Sequence, residues 1–221
     1  MGNPIVEAYI GEYASGKSEN AINRALSLVE QGRKVTIADL DIVEPFYTLR
    51  PIKKMLEEKG IVVLAWDKDK VIGLGETGNT IMPALRWVLR RDGDLILDVG
   101  YGVDGAKTLN LLYELEENKF LRIIAVINVA RPMTSDFQGI LEYVKSLGRV
   151  DALINNTHLG DDTDIEVIQG GAKLVLEVSD ALGIPMLGTT AEKSFAQKLG
   201  RLDAAGKPVF YINRFMPQAY W

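Results

Sequence analysis

Short apolar runs of four to eight residues alternate along the chain with longer segments whose apolar positions recur at helical spacing. That rhythm predicts repeated strand–helix units, with helices on both faces of a mostly parallel sheet. The strand-like runs are IVEAYI (5–10), KVTIADLD (34–41), IVVLAW (61–66), DLILDVG (94–100), RIIAVINV (122–129), VDALINNT (150–157) and IPMLGT (184–189). KPVFYINRF (207–215) reads as a last strand or strand pair. Helical periodicity covers 15–32, with Gly32 as the stop, and 79–93, where Pro83 restricts the helix to starting near itself. It continues over 104–119, over 133–148 with Thr134 or Ser135 as the cap, and over 163–183. No linker, repeat or low-complexity tract interrupts the pattern. The expectation is one domain over residues 1–221, α/β in three layers, with a doubly wound sheet that takes ligands at the carboxyl ends of its strands.

Composition narrows the chemistry. With 47% hydrophobic and 25% charged residues the chain is an ordinary globule with ample core. A net charge of −5 argues against bulk binding to nucleic acid or to anionic membranes. The chain has no cysteine, which excludes disulfides, thiolate zinc and iron–sulfur ligation, and its single histidine, His158, rules against a histidine metal cluster within one subunit. MGNPIVEAYIG has no basic n-region, and no apolar run reaches the roughly 18 residues of a membrane span, so the expected compartment is the cytoplasm.

One motif names a ligand class. GEYASGKS (11–18) fits the phosphate-loop pattern G-x-x-x-x-G-K-[ST], and it stands where that pattern needs to stand, between an apolar strand and a helix-forming run. Gly11 and Gly16 let backbone N–H groups approach phosphate oxygens, and the helix opening near Lys17 adds its positive dipole end. Lys17 would neutralise β and γ charge, the Ser18 hydroxyl would ligate Mg2+, and Ser15 and Glu19 fall within the same nucleotide-contacting stretch. Glu12 and Tyr13 are less expected in a loop meant for anions, so Glu12 must point away from the phosphates or contact something else.

Acids stand at neighbouring strand ends. Asp39 and Asp41 close the second strand, and two readings are open: a solvated turn, or carboxylates that hold the Mg2+ hydration shell or orient the attacking water. In DLILDVGYGVDGA three apolar residues lead to Asp98, which would meet the metal opposite Ser18, while Gly100 leaves room for a backbone N–H to sense a γ-phosphate. Asp104 and Lys107 suit a helix start and a solvated face. Arg86, Arg90 and Arg91 suit a solvated helix end more than a polyanion site. Arg131 could serve a turn, a phosphate or a second substrate, and His158 a polar surface or a ligand contact.

With GEYASGKSE, ADLD and LILDVGYGVDGA in this order, nearly the whole chain resembles the MinD/ParA/CobQ-type P-loop ATPases of the SIMIBI class. The resemblance implies Lys17 and Ser18 as phosphate and Mg2+ residues. Asp39 and Asp41 fall in switch I with Asp41 positioning water, Asp98 is the Walker B acid, and Gly100 and Gly102 lie in switch II. It also implies an Asn after a late strand that hydrogen-bonds adenine; Asn155 and Asn156 stand there, with a polar turn as the other reading. No NKxD guanine motif is present, which favours ATP over GTP. The chain departs from the MinD/ParA branch where that branch has a lysine reaching across a dimer: Glu12 occupies the position, followed by Tyr13 and Ala14 instead of glycines. The trans-lysine mechanism is therefore not implied, although a homodimer remains compatible with the pattern. The C-terminal RFMPQAYW lacks a basic amphipathic helix for membranes, and Tyr220 and Trp221 are expected to pack on the globule or a second subunit. The expected function is a Mg2+-dependent ATPase cycling between ATP and ADP as a switch, with an unidentified protein partner or small-molecule substrate. Its rivals are an ATP-dependent ligase or kinase-like transferase acting on a small metabolite, and a module that holds nucleotide without turnover.

Overall fold

The computed structural model describes residues 2–41, 49–65 and 83–216. The end of the 61–66 run at Trp66, the residues before Pro83, and the pair Tyr220 and Trp221 lie outside the described residues. Among the described residues eight strands form one sheet: β1 (Val6–Gly11), β2 (Val35–Leu40), β3 (Val62–Leu64), β4 (Asp94–Val99), β5 (Leu121–Ile127), β6 (Ala152–Asn155), β7 (Met186–Glu192) and β8 (Val209–Ile212). Their order is β3-β2-β4-β1-β5-β6-β7-β8, and every neighbouring pair is parallel. The chain leaves β1, builds β2 and β3 outward, returns through β4 between β2 and β1, and then proceeds in order on the other side. The carboxyl ends of β1 and its two neighbours therefore meet at a switch point, where open α/β sheets bind ligands.

Strand residues sort by parity between two cores, which is why the runs read as continuously apolar. Val6, Ala8 and Ile10 of β1, Leu95, Leu97 and Val99 of β4, and Leu121, Ile123, Ala125 and Ile127 of β5 join one core. The intervening Tyr9, Ile96, Ile124 and Val126 join the other. That second core is roofed by α1 (Lys17–Glu30) through Ala21, Ile22, Ala25 and Leu28, and by α2 (Lys53–Glu58) through Leu56. The first is roofed by α3 (Pro83–Arg86), α4 (Gly102–Lys107), α5 (Phe137–Ser146) and α6 (Ile165–Leu182), giving three layers. A last turn, α7 (Ala196–Leu199), packs with Ile168 and Ala191 in a small satellite core.

Helix ends follow local chemistry. Gly32 stops α1 as expected, at φ 75°, with its N–H donating to Val29 O at 2.8 Å and the Arg33 N–H to Leu28 O at 3.1 Å. Pro83 begins α3, where a missing N–H costs nothing. The cap of α5 differs from expectation: Asp136 accepts from the Gly139 N–H at 2.8 Å, and Thr134 is buried one turn earlier with another task. The 104–119 stripe also differs. Only α4 and a 3-10 turn (Thr108–Leu111) form, after which the segment bends through Glu114 at φ 66°. Leu109, Leu112 and Leu115 are still buried, so the apolar spacing served an irregular segment. Arg90 lies over the Trp87 ring at 4.2 Å and pairs with Glu114, a local surface arrangement.

Candidate nucleotide site

The phosphate loop joins β1 to α1 at the centre of the sheet. Gly16 sits at φ 89°, and a Cβ there would lie 2.1 Å from Asn156 Nδ2, so both backbone conformation and space demand glycine. Ala14 has φ 52°, a left-handed conformation that costs an L-residue about 1–2 kcal/mol. Side chains from distant loops hold that shape. Asn156 Nδ2 donates to Ser15 O at 2.8 Å, and the His158 ring donates to the Ala14 carbonyl while its Nδ1 accepts from the Gly160 N–H at 3.3 Å. Glu12 turns away from the loop interior: one oxygen accepts from the Met133 N–H at 3.2 Å and the other from the Thr134 hydroxyl at 3.0 Å. The same hydroxyl lies 2.7 Å from Asn128 O, so its one proton is shared between the two acceptors. Lys17 is folded across the loop, its Nζ donating to Glu12 O at 2.9 Å.

The predicted acids converge beside the loop. Asp39 and Asp98 are register partners on β2 and β4, both buried. Burial first, and then the Asp39 charge, raise the Asp98 carboxyl well above the ordinary carboxylate range; the Ser18 hydroxyl bonded to it and Lys17 act in the opposite direction. Asp98 Oδ1 is buried without a hydrogen-bond donor in the protein. Two adjoining buried carboxylates, one with an orphaned oxygen, and a serine hydroxyl make a donor set that a hard divalent cation completes. Among the described residues no three His, Cys, Asp or Glu side chains converge on a protein-only cage. A Mg2+ ion takes one or two carboxylates and keeps water and phosphate for the rest. Asp41 approaches Gly100: a Cβ on Gly100 would stand 3.2 Å from Asp41 Oδ1. The Asp41 N–H donates to Asp39 Oδ1 at 3.0 Å. Tyr13, at the loop tip, meets Tyr101 edge to face with centroids 5.3 Å apart, joining the loop to the turn after β4.

Three sequence assignments change. Asn155 is wholly buried, with Nδ2 donating to Thr189 Oγ1 at 3.0 Å and Oδ1 accepting from Thr157 Oγ1 at 2.6 Å, so its amide is committed to the fold and not to a base. Asn156 borders a pocket, but its oxygen accepts from Thr190 Oγ1 at 2.5 Å while its nitrogen holds Ser15, which makes it a support for the loop. The Glu19 carboxylate accepts from the Phe215 N–H at 2.8 Å and the Met216 N–H at 2.7 Å and is turned to the C-terminal segment. Burial raises its pKa, with those N–H groups opposing.

The pocket bordered by Gly16 and Asn156 is lined by Ile168, Ala191, Phe195, Ile212 and Arg214. Sequence reasoning missed this set; its one signal was the polar TTAE at the end of a strand, at the edge where ligands bind. His158 sits at the same pocket as a neutral imidazole. Burial, with Arg131 and Arg214 adding to it, holds its pKa down to about 4.

No protein-family model and no curated sequence matches the chain. Solved structures do. Cell division protein FtsY from Thermotoga maritima aligns with TM-score 0.58 at 17% identity, over 98% of this chain and 67% of that one. The 54 kDa signal recognition particle protein from Aeropyrum pernix K1, solved with GDP, gives 0.56 at 18%, over 99% and 45%. A nucleotide-binding protein from Archaeoglobus fulgidus, solved with ADP, gives 0.51 at 14%, over 87% and 84%. The chain spans 59–67% of the length of the FtsY structures it matches. The fold is therefore the α/β, P-loop nucleoside triphosphatase-like fold that these structures share. Neighbours holding GDP and ADP share it, so the fold does not select the base. No helix among the described residues is long and apolar enough to cross a membrane.

Proposed function

We propose that this protein is a Mg2+-dependent ATPase of MinD/ParA/CobQ type, working in the cytoplasm as a nucleotide switch. One observation carries the reading. A phosphate loop with its lysine folded across it faces two buried, adjoining carboxylates beside a serine hydroxyl. Lys17 and the loop N–H groups would take the β- and γ-phosphates, and Ser18, Asp98 and Asp39 would hold the metal. When bound, Mg2+ supplies charge neutralisation at the β- and γ-oxygens. Asp41 would orient water for in-line attack, and the N–H of Gly100 would meet the γ-phosphate. Adenine is preferred because the loop after β6 carries no NKxD guanine motif. A protein partner or second substrate completes the cycle. Glu12 bonds within its own chain, so any homodimer would form without the trans lysine.

Binding and hydrolysis of ATP and GTP with Mg2+, measured with the mass in solution, test the reading. Lys17→Ala is expected to lower turnover by at least about 100-fold. A variant that binds and hydrolyses ATP like the parent removes the assignment. A transferase acting on a small anionic metabolite is the second reading, favoured by Arg131, whose buried Nε has no partner in the protein at the end of β5. ATP turnover that strictly requires an added metabolite would select it.

A further inference from the structure

The segment after β8 crosses the first turns of α1 and is tied to it twice. Asn23 bonds Asn213 reciprocally, donating from Nδ2 to Asn213 O and accepting the Asn213 N–H at Oδ1, both at 2.9 Å. Glu19 accepts the N–H groups of Phe215 and Met216, whose side chains pack on the α1 core. Between these anchors stands Arg214. Its side chain lines the pocket beside Gly16, and its guanidinium meets Asp161 at 2.5 Å. Asp161 is 88% exposed, and an ion pair to so solvated an acid holds its partner weakly. The Arg214 side chain itself is only 27% exposed.

The pocket has one apolar wall, Ile168, Ala191, Phe195 and Ile212, and a polar one that includes His158, Thr190 and Glu192. Gly16 borders it, and neither Asp39 nor Asp98, the pair that marks the metal end of the site, lines it. A phosphate chain seated in the loop would thus send its nucleoside into this pocket, where a guanidinium plane covers a purine face by stacking and cation–π attraction.

We infer that Arg214 is the cation that covers the base of a bound purine nucleotide, and that Glu19 and Asn23 are positioning residues that hold it there through the backbone of residues 213–216. The inference rests on the nucleotide reading above and deepens it. Glu19 opens the helix that follows the phosphate loop, so one side chain couples the phosphate end of the site to the strap that closes its base end.

Calorimetric titration of the whole chain with Mg-ATP and with Mg-tripolyphosphate, which lacks a nucleoside, separates the contributions. Arg214→Ala is expected to weaken ATP about tenfold and to leave tripolyphosphate within about twofold. Glu19→Ala should give the same nucleoside-specific loss, and Glu19→Gln, which keeps an acceptor for the strap, should recover part of it. The Glu19→Ala/Arg214→Ala double variant should bind ATP no more weakly than Arg214→Ala, because both remove one contact. Melting curves check that each variant is folded. Unchanged ATP affinity in Arg214→Ala, or equal losses for both ligands in the folded variants, overturns the inference and leaves the nucleotide reading standing. A parent protein that binds neither ligand overturns that reading, and the inference with it.

Discussion

Two aspartates at opposite ends of β4 show how one residue type serves opposed ends. Asp94, at the amino end, takes two hydrogen bonds from the Arg33 guanidinium and one from the Ile5 N–H at 2.9 Å. Burial pushes its carboxyl up, but those donors outweigh it and hold it below the ordinary value. A depressed carboxyl contributes stability above its unfolded pKa and loses it as pH falls through the folded one. Asp94→Ala should therefore destabilise at neutral pH, by about 1–3 kcal/mol for the orphaned Ile5 N–H alone, with a smaller penalty in acid. Asp98, four residues on, is raised instead. Its contribution is present while it is protonated and is lost as pH climbs through the raised value. Asp98→Asn should thus stabilise the nucleotide-free protein by about 1 kcal/mol or more at about pH 9, give little near pH 4, and abolish Mg2+-dependent turnover. Urea titrations of both variants across pH check the pair. A neutral-pH gain for Asp94→Ala, or a high-pH loss for Asp98→Asn, would contradict it.

At the scale of elements, the strands and the loop–helix unit were legible because their signals are local. Parity along a strand, helical spacing and the glycine–lysine pattern each lie within one window of sequence. What failed to show was set by partners far away. The 104–119 stripe has helical spacing, yet α4 stops at Lys107 and tightens into a 3-10 turn; within α4, Gly105 lies against Gly100, where a Cβ would be 2.0 Å from the Gly100 carbonyl oxygen. Thr134 is a good cap by type, but it is engaged by Glu12, 122 positions away, and Asp136 caps α5 instead. Asp136→Ala should accordingly cost about 1 kcal/mol in chemical denaturation, and Ser135→Ala almost nothing. Equal losses would return the cap to Ser135. Asn155 and Asn156 were placed correctly at the end of a late strand, but residue type could not tell a base contact from a framework amide. That difference lies in Thr189 and Thr190, on the neighbouring β7.

Across the whole molecule the switch point of the sheet gathers the site from segments separated by most of the chain: the loop at 11–18, the acids at 39, 41 and 98, the supports at 133–134 and 156–158, and the strap at 213–216. The supports have a consequence for anyone wishing to move the site. A phosphate loop shaped by its own glycines can be transplanted as a short peptide between a strand and a helix. This one has Ala14 in a glycine-like conformation, held there from outside by Asn156, His158 and the Met133–Thr134 turn. Residues 11–18 grafted alone onto another sheet would leave those contacts behind and relax. The portable unit in this protein is three loops from three adjacent strands.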